Sequence, residues 1–123
     1  MNEIIPNLFL GDKYDAQIFD GTIICVLEKL PDYEPKNAVL FPIFRNGSID
    51  RNQLDLAIEA IDFALNKGKK VLVHCVGGAE RSPLTVVWYL HSKKGMTIEE
   101  AYHLVIEKRP LVQRRDSWLP KDH

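Results

Sequence analysis

Residues 70–90 read KVLVHCVGGAERSPLTVVWYL. An apolar run from Val71 to Val73 leads through His74 to Cys75, the pattern of a central strand in a parallel sheet. Gly77 and Gly78 follow, and Arg81 stands six positions after the cysteine. From Ser82 the residues turn helical, with Pro83 in the first turn, where a missing N–H does no harm. Strand, glycine turn and helix in immediate succession place Cys75 and Arg81 at the carboxyl edge of the sheet, where open α/β sheets bind ligands.

The residue types at that edge suit an oxyanion. A short glycine-containing turn lets successive backbone N–H groups converge on one anion. The helix N-terminus adds positive potential, and the planar fork of Arg81 matches phosphate oxygens. Val76, Gly77, Gly78, Ala79, Glu80 and Arg81 are therefore the expected anion-binding residues. Helix N-termini and arginines favour thiolate over thiol, so Cys75 reads as a nucleophile aimed at the bound anion, the arrangement for covalent displacement at phosphorus. The Ser82 hydroxyl is placed to hydrogen-bond the sulfur and help it leave when the intermediate is hydrolysed. A buried cysteine before an ordinary strand-to-helix turn is the plainer alternative.

Around this unit, strands alternate with helices. NLFLG reads as a short strand closed by Gly11, and KYDAQIF as one or two helical turns. GTIICVLEKL, β-branched from Thr22, reads as a buried strand, LPDYEPK as a loop, and NAVLFPIF as a further strand with Pro42 near its end. Asp50 opens a helix whose apolar residues Leu54, Ala57, Ile58, Ile61, Ala64 and Leu65 share one face. Asp50 with Gln53 fits a variant of the capping box, and Gly68 ends the helix. Thr97 and Glu100 form another capping box before IEEAYHLVIEKR, which Pro110 ends; the tail LVQRRDSWLPKDH holds at most a short turn. The predicted class is α/β: a central, mainly parallel sheet of four to five strands flanked by helices, in a single domain over residues 1–123.

Composition narrows the function classes. Apolar residues make up 46% and charged residues 27%, as in a soluble globular protein, and a formal net charge of −1 makes no polycationic case for nucleic acid. No apolar stretch is long enough to span a membrane. MNEIIPNLFLGDKYD lacks the basic and long apolar regions of a signal peptide. A cytoplasmic chain is expected, in which Cys25 and Cys75 form no disulfide framework. Cys25 reads as a small buried hydrophobe.

HCVGGAERS matches the His-Cys-x-x-Gly-x-x-Arg-Ser/Thr signature of the cysteine-dependent protein tyrosine phosphatases. The surrounding chain resembles their dual-specificity branch, especially its compact archaeal members. IIPNLFLGDKYDA is similar to that branch's N-terminal strand and turn, VLFPIF to the strand before its general-acid loop, and KRPLVQ to its Arg-Pro-x-x-Val-Gln segment. The resemblance implies a protein tyrosine phosphatase-like fold. It also implies hydrolysis of phosphotyrosine in proteins, with phosphoserine and phosphothreonine as further targets, through a phosphocysteine on Cys75. Residues 76–81 would hold the phosphate, His74 would brace the loop, and Gln113 would position the hydrolytic water; a plain surface glutamine is the alternative at Gln113. No metal or cofactor is implied. The expected partner is a phosphoprotein or phosphopeptide, with a phosphate-like anion in the loop; neither a membrane nor nucleic acid is expected.

Two positions depart from that pattern. The family places an aspartate, which protonates the leaving oxygen, a few residues after the strand-ending proline; such an acid is worth about 10²–10⁴ in rate. Counting from Pro42, that place is Arg45. The nearest carboxylate, Asp50, is the candidate acid, although a helix N-cap is the favoured reading, a role worth about 1 kcal/mol. Glu80 puts a carboxylate where most relatives have a small or neutral residue. Its side chain turns away from the anion, or pairs with a basic residue of the rim or the substrate.

Arg45, Arg51, Arg114 and Arg115 are candidates for a basic rim, with scattered solvated arginines as the alternative. Such a rim would suit highly anionic substrates: multiply phosphorylated peptides, phosphoinositides or RNA 5′ ends. The displaced acid also leaves open a phosphate-binding pseudophosphatase with weak catalysis, and more remotely a sulfurtransferase or arsenate reductase.

Overall fold

The computed structural model describes residues 1–31 and 37–122, so most of the expected LPDYEPK loop lies outside the described residues. In chain order the elements are β1 (Asn2–Ile5), β2 (Leu8–Gly11), α1 (Asp15–Ile18), β3 (Thr22–Cys25), β4 (Ala38–Leu40), β5 (Phe44–Arg45) and β6 (Ser48–Ile49). Then follow α2 (Arg51–Asn66), β7 (Val71–His74), α3 (Arg81–Lys94), α4 (Ile98–Lys108) and a 3-10 turn at Asp116–Trp118. The main sheet has five strands in the order β1-β2-β7-β3-β4, parallel except for the β1–β2 pair. Among the described residues no helix is long and apolar enough to cross a membrane.

The apolar run of β7 earns its central place, since all four residues are buried. Its neighbours end level with it: His74 is paired with Gly11 of β2 and with Cys25 of β3. Three strand ends thus form one ledge, and Cys75 steps off its middle. Side chains alternate between the two faces of the sheet, as the strand period requires. Val71 and Val73 enter the main core, while Leu72 joins Ile23 and Ala16 of α1 in a smaller cluster.

The main core is built around α3, which packs on β2, β7, α2 and α4. Every residue from Ser82 to Leu90 is buried, which explains why this helix is apolar all round rather than striped. Leu84, Val86, Val87 and Leu90 are fully covered, each contributing about 1.5–3 kcal/mol relative to exposure. Trp88, Tyr89 and Tyr102 also lie in the core. The helix N-terminus that follows the glycine turn is therefore rigidly anchored.

Helix ends follow their local chemistry. Asp50 Oδ1 accepts from Gln53 N at 3.2 Å, and the Thr97–Glu100 box closes in both directions. Gly68 and Gly95 take positive φ beyond α2 and α3. Two features differ from expectation. NAVLFPIF is not one strand: β4 stops at Leu40, and Pro42 has no N–H with which to continue a ladder. Phe44–Arg45 instead pairs with Ser48–Ile49 in a hairpin that turns on Asn46 (φ 53°) and Gly47 (φ 81°), the positive-φ pair favoured by two-residue turns. The other addition is β1, whose ladder with β2 is irregular between Glu3 and Ile5.

Candidate active site

The loop from Cys75 to Arg81 turns its carbonyls outward, and each has a partner. The Cys75 carbonyl meets His74 Nδ1 at 3.0 Å, a contact that requires the ring proton on Nδ1. Val76 O accepts from Lys13 N at 3.0 Å, Ala79 O from Gln113 N at 2.8 Å, and Glu80 O from Leu84 N at 3.1 Å. Gly77 O and Gly78 O accept from Arg109 Nη2 and Nε at 3.2 and 2.9 Å. In a planar trans peptide the N–H points opposite to the C=O. Outward carbonyls on residues 75–80 therefore turn the N–H groups of residues 76–81 inward. Among the described residues none of those N–H groups donates to another backbone group. They form a concave set of donors suited to an anion.

Gly78 makes this geometry sterically accessible. Its φ is +67°, and a Cβ there would lie 2.6 Å from Gly11 O and 2.7 Å from Arg109 Nη2. Gly77 has open space where a Cβ would go. A pocket of about 250 Å³ opens over the loop, lined by Leu27, Cys75, Val76, Gly77, Ala79, Glu80 and Arg81. Cys75 is only 5% exposed, and its Sγ lies 3.2 Å from the buried Ser82 Oγ. The Arg81 guanidinium stacks over Phe44 with Cζ 5.4 Å from the ring centre. Among the described residues no carboxylate pairs with it, and its planar fork suits an oxyanion.

The remaining candidates are distributed less evenly. Gln113 reaches the loop through its backbone bond to Ala79, and its Oε1 accepts from Arg115 Nη2 at 3.1 Å. Asp50 does not line the pocket: Oδ1 caps α2, and Oδ2 sits 3.9 Å from Arg45 Nε. Glu80 lines the pocket, and its Oε1 accepts from Arg115 Nη2 at 3.0 Å, the rim-pairing alternative of the two readings.

The expected basic rim is reduced. Arg51 is tied to Asp55 and Asp122 and stacks on Trp88. Arg114 is held by Asp116 and Glu99, whose carboxylates raise its pKa further. Of the four arginines, Arg115 is the one bonded to the loop.

Arg109 carries a role that spacing alone did not suggest. It is 6% exposed and uses three donors, on Gly77 O, Gly78 O and Asn2 Oδ1. The available signal was an arginine closing α4 directly before Pro110, inside the segment KRPLVQ. Phe44 and Trp118 were also unassigned. Their rings lie 4.8 Å apart and link the β5–β6 hairpin to the C-terminal segment beside Arg81.

A five-stranded sheet with helices on its faces and a cysteine-to-arginine loop at the carboxyl edge of its central strand is the protein tyrosine phosphatase-like architecture. The family model "Dual specificity phosphatase, catalytic domain" matches residues 44–120, and the chain belongs to that family. Human dual specificity protein phosphatase 9 is 34% identical over 119 residues, covering 87% of this chain and 31% of that protein. Human dual specificity protein phosphatase 5 is 41% identical over 120 residues, covering 89% and 31%. The chain thus spans under a third of the length of either relative. The crystal structure of human DUSP28 superposes with a TM-score of 0.80 at 22% identity, covering 96% of this chain and 90% of that one, a likeness of fold.

Proposed function

We propose that this domain hydrolyses phosphate monoesters, phosphotyrosine in proteins or peptides above all, through a phosphocysteine on Cys75. The observation that carries the reading is the outward engagement of the six carbonyls from Cys75 to Glu80 around the Cys75 sulfur. It leaves the N–H groups of residues 76–81 and the Arg81 fork to hold three phosphate oxygens while Sγ faces phosphorus. Charge developing on those oxygens meets donors already in place, so little reorganisation opposes the transition state.

In the first step the Cys75 thiolate forms a bond to phosphorus and the bond to the ester oxygen breaks, that oxygen taking the electron pair. In the second, a water oxygen bonds to phosphorus, the P–S pair returns to Cys75, and one water proton passes to solvent. The Ser82 hydroxyl, 3.2 Å from Sγ, stabilises the departing thiolate. Gln113 stands beside the loop to orient the water.

Among the described residues no unpaired carboxylate lines this pocket to protonate the leaving oxygen. Glu80 is the one carboxylate among the described lining residues, and it is paired with Arg115. Asp50 serves as the cap of α2. A phenolate leaves with less protonation than an alkoxide, which favours phosphotyrosine over phosphoserine and phosphothreonine. The loop recognises the phosphate group itself, so protein phosphotyrosine is preferred on leaving-group chemistry and family membership.

The test is Cys75→Ser, assayed on an aryl phosphate and by phosphate or vanadate binding, together with acid-quench trapping of labelled phosphate on the native chain. Turnover is expected to vanish in the variant while anion binding persists, and label is expected on Cys75. Undiminished turnover in Cys75→Ser would falsify the mechanism.

A further inference from the structure

The Arg115 guanidinium joins two groups that belong to different steps of the site. Its Nη2 donates both to Glu80 Oε1 at 3.0 Å and to Gln113 Oε1 at 3.1 Å. Its Nη1 donates to Arg114 O at 3.0 Å, and its plane lies over Trp118 with Cζ 5.5 Å from the ring centre. Its backbone N–H donates to the hydroxyl of the buried Tyr102 at 3.2 Å. This arginine is therefore fixed at its backbone, at its tip and across its face.

The chemistry of the donor orients Gln113. A guanidinium only donates, so the Gln113 atom facing Arg115 is the carbonyl oxygen, and the amide Nε2 is the end left to act elsewhere. Gln113 is also bound to the loop by its own backbone N–H, on Ala79 O at 2.8 Å. A ring closes through Ala79, Glu80, Arg115 and Gln113. The backbone bond sets where the Gln113 side chain begins, and the Glu80–Arg115 pair sets where it ends.

We infer that Glu80 and Arg115 are positioning residues for the hydrolytic half of the reaction, clamping the Gln113 carboxamide so that Nε2 meets the attacking water. The inference rests on the phosphocysteine reading above. An Nε2–H bond occupies one lone pair of the water and leaves the other to be aimed at phosphorus. The water oxygen then bonds to phosphorus, the P–S electron pair returns to Cys75, and a water proton passes to solvent. The same contact gives Glu80 a partner that draws its carboxylate away from the phosphate.

Pre-steady-state and steady-state kinetics of Glu80→Ala, Arg115→Ala and Glu80→Gln on an aryl phosphate test this. Loss of orientation of one reacting group lowers rates by roughly 10- to 100-fold. Glu80→Ala is expected to lower kcat by that factor and KM in parallel, leaving kcat/KM and the burst rate unchanged while phosphocysteine accumulates. Arg115→Ala, which also releases the Glu80 carboxylate toward the phosphate, is expected to lower kcat by that factor and to raise KM relative to Glu80→Ala. Glu80→Gln, which still offers Arg115 an acceptor, is expected to lose less.

A rise in KM at constant kcat would show the pair to be a charge screen and overturn the inference. So would unchanged kinetics, or a parallel fall of burst rate and kcat/KM with lowered thermal stability. Absence of aryl phosphate turnover in the unaltered chain would instead remove the phosphatase reading, and this inference with it.

Discussion

Arg109 Nε donates to the Gly78 carbonyl at 2.9 Å, across 31 positions of sequence. With Nη2 on Gly77 O, one buried side chain holds two successive carbonyls of the anion loop. Among the described residues no carboxylate pairs with Arg109. Its charge is met by the negative ends of peptide dipoles whose N–H ends face the pocket, so the guanidinium reinforces the polarity of the loop.

Removing that side chain should damage fold and site together. Arg109→Ala orphans two carbonyls, at about 1–3 kcal/mol for each one left buried and unsatisfied. Arg109→Lys offers a point charge in place of a planar fork and spans the pair poorly. Denaturant melts should show the loss in both variants, larger for alanine, and aryl phosphate turnover should fall with it. A stable, fully active Arg109→Ala chain would show that the loop holds its shape unaided.

The two adjacent glycines should respond differently to alanine. At Gly78 the positive φ and the 2.6 Å approach to the Gly11 carbonyl both oppose a Cβ, and the left-handed conformation alone costs roughly 1–2 kcal/mol. At Gly77 the space is open. Gly78→Ala is expected to lose stability and phosphate binding, whereas Gly77→Ala should melt close to the unaltered chain. Equal melting temperatures for the two variants would contradict the steric account.

Asp50 separates capping from catalysis through one pair of variants. Asparagine caps a helix about as well as aspartate, whereas alanine costs about 1 kcal/mol. Asp50→Asn should keep stability, and it should keep the ratio of rates on aryl phosphates with good and poor leaving groups. Asp50→Ala should lose stability alone. A selective fall of about 10²–10⁴ on the poor leaving group in Asp50→Asn would instead make Asp50 the proton donor.

Tyr89 gives the fold an alkaline limit. Burial and the nearby Asp62 carboxylate push its hydroxyl from 10.0 up to about 12. A pKa raised by folding means that stability is intact below the unfolded value and falls as pH climbs from about 10 to about 12. Tyr89→Phe should flatten this part of the pH dependence. Urea midpoints measured from pH 9.5 upward, compared between the two chains, will show it; parallel curves would exclude Tyr89 as the cause.

The strand–glycine–helix unit of residues 70–90, the caps at Asp50 and Thr97 and the stop at Gly68 were readable along the chain. Each rests on groups a few residues apart, where helical or strand geometry converts spacing directly into contact. The hairpin at Phe44–Ile49 was readable too, since Asn46-Gly47 is a strong turn signal, but the run from Ala38 to Phe44 masked it as one strand. Strand β1 was harder to see, because its irregular ladder breaks the alternation that marks a strand.

Arg109 on Gly78, Arg115 on Glu80 and Phe44 against Trp118 belong to another level. Their partners lie 31 or more positions apart. Whether a guanidinium meets a carbonyl, a carboxylate or water depends on backbones placed within about an ångström of hydrogen-bonding distance. Local spacing carries no such information. It emerges when α3, buried on every side, fixes the loop against the strand ledge, and α4 and the C-terminal segment pack alongside. The amino-acid order made Cys75 and Arg81 neighbours on one loop; long-range packing turned the carbonyls of residues 76–79 away from them.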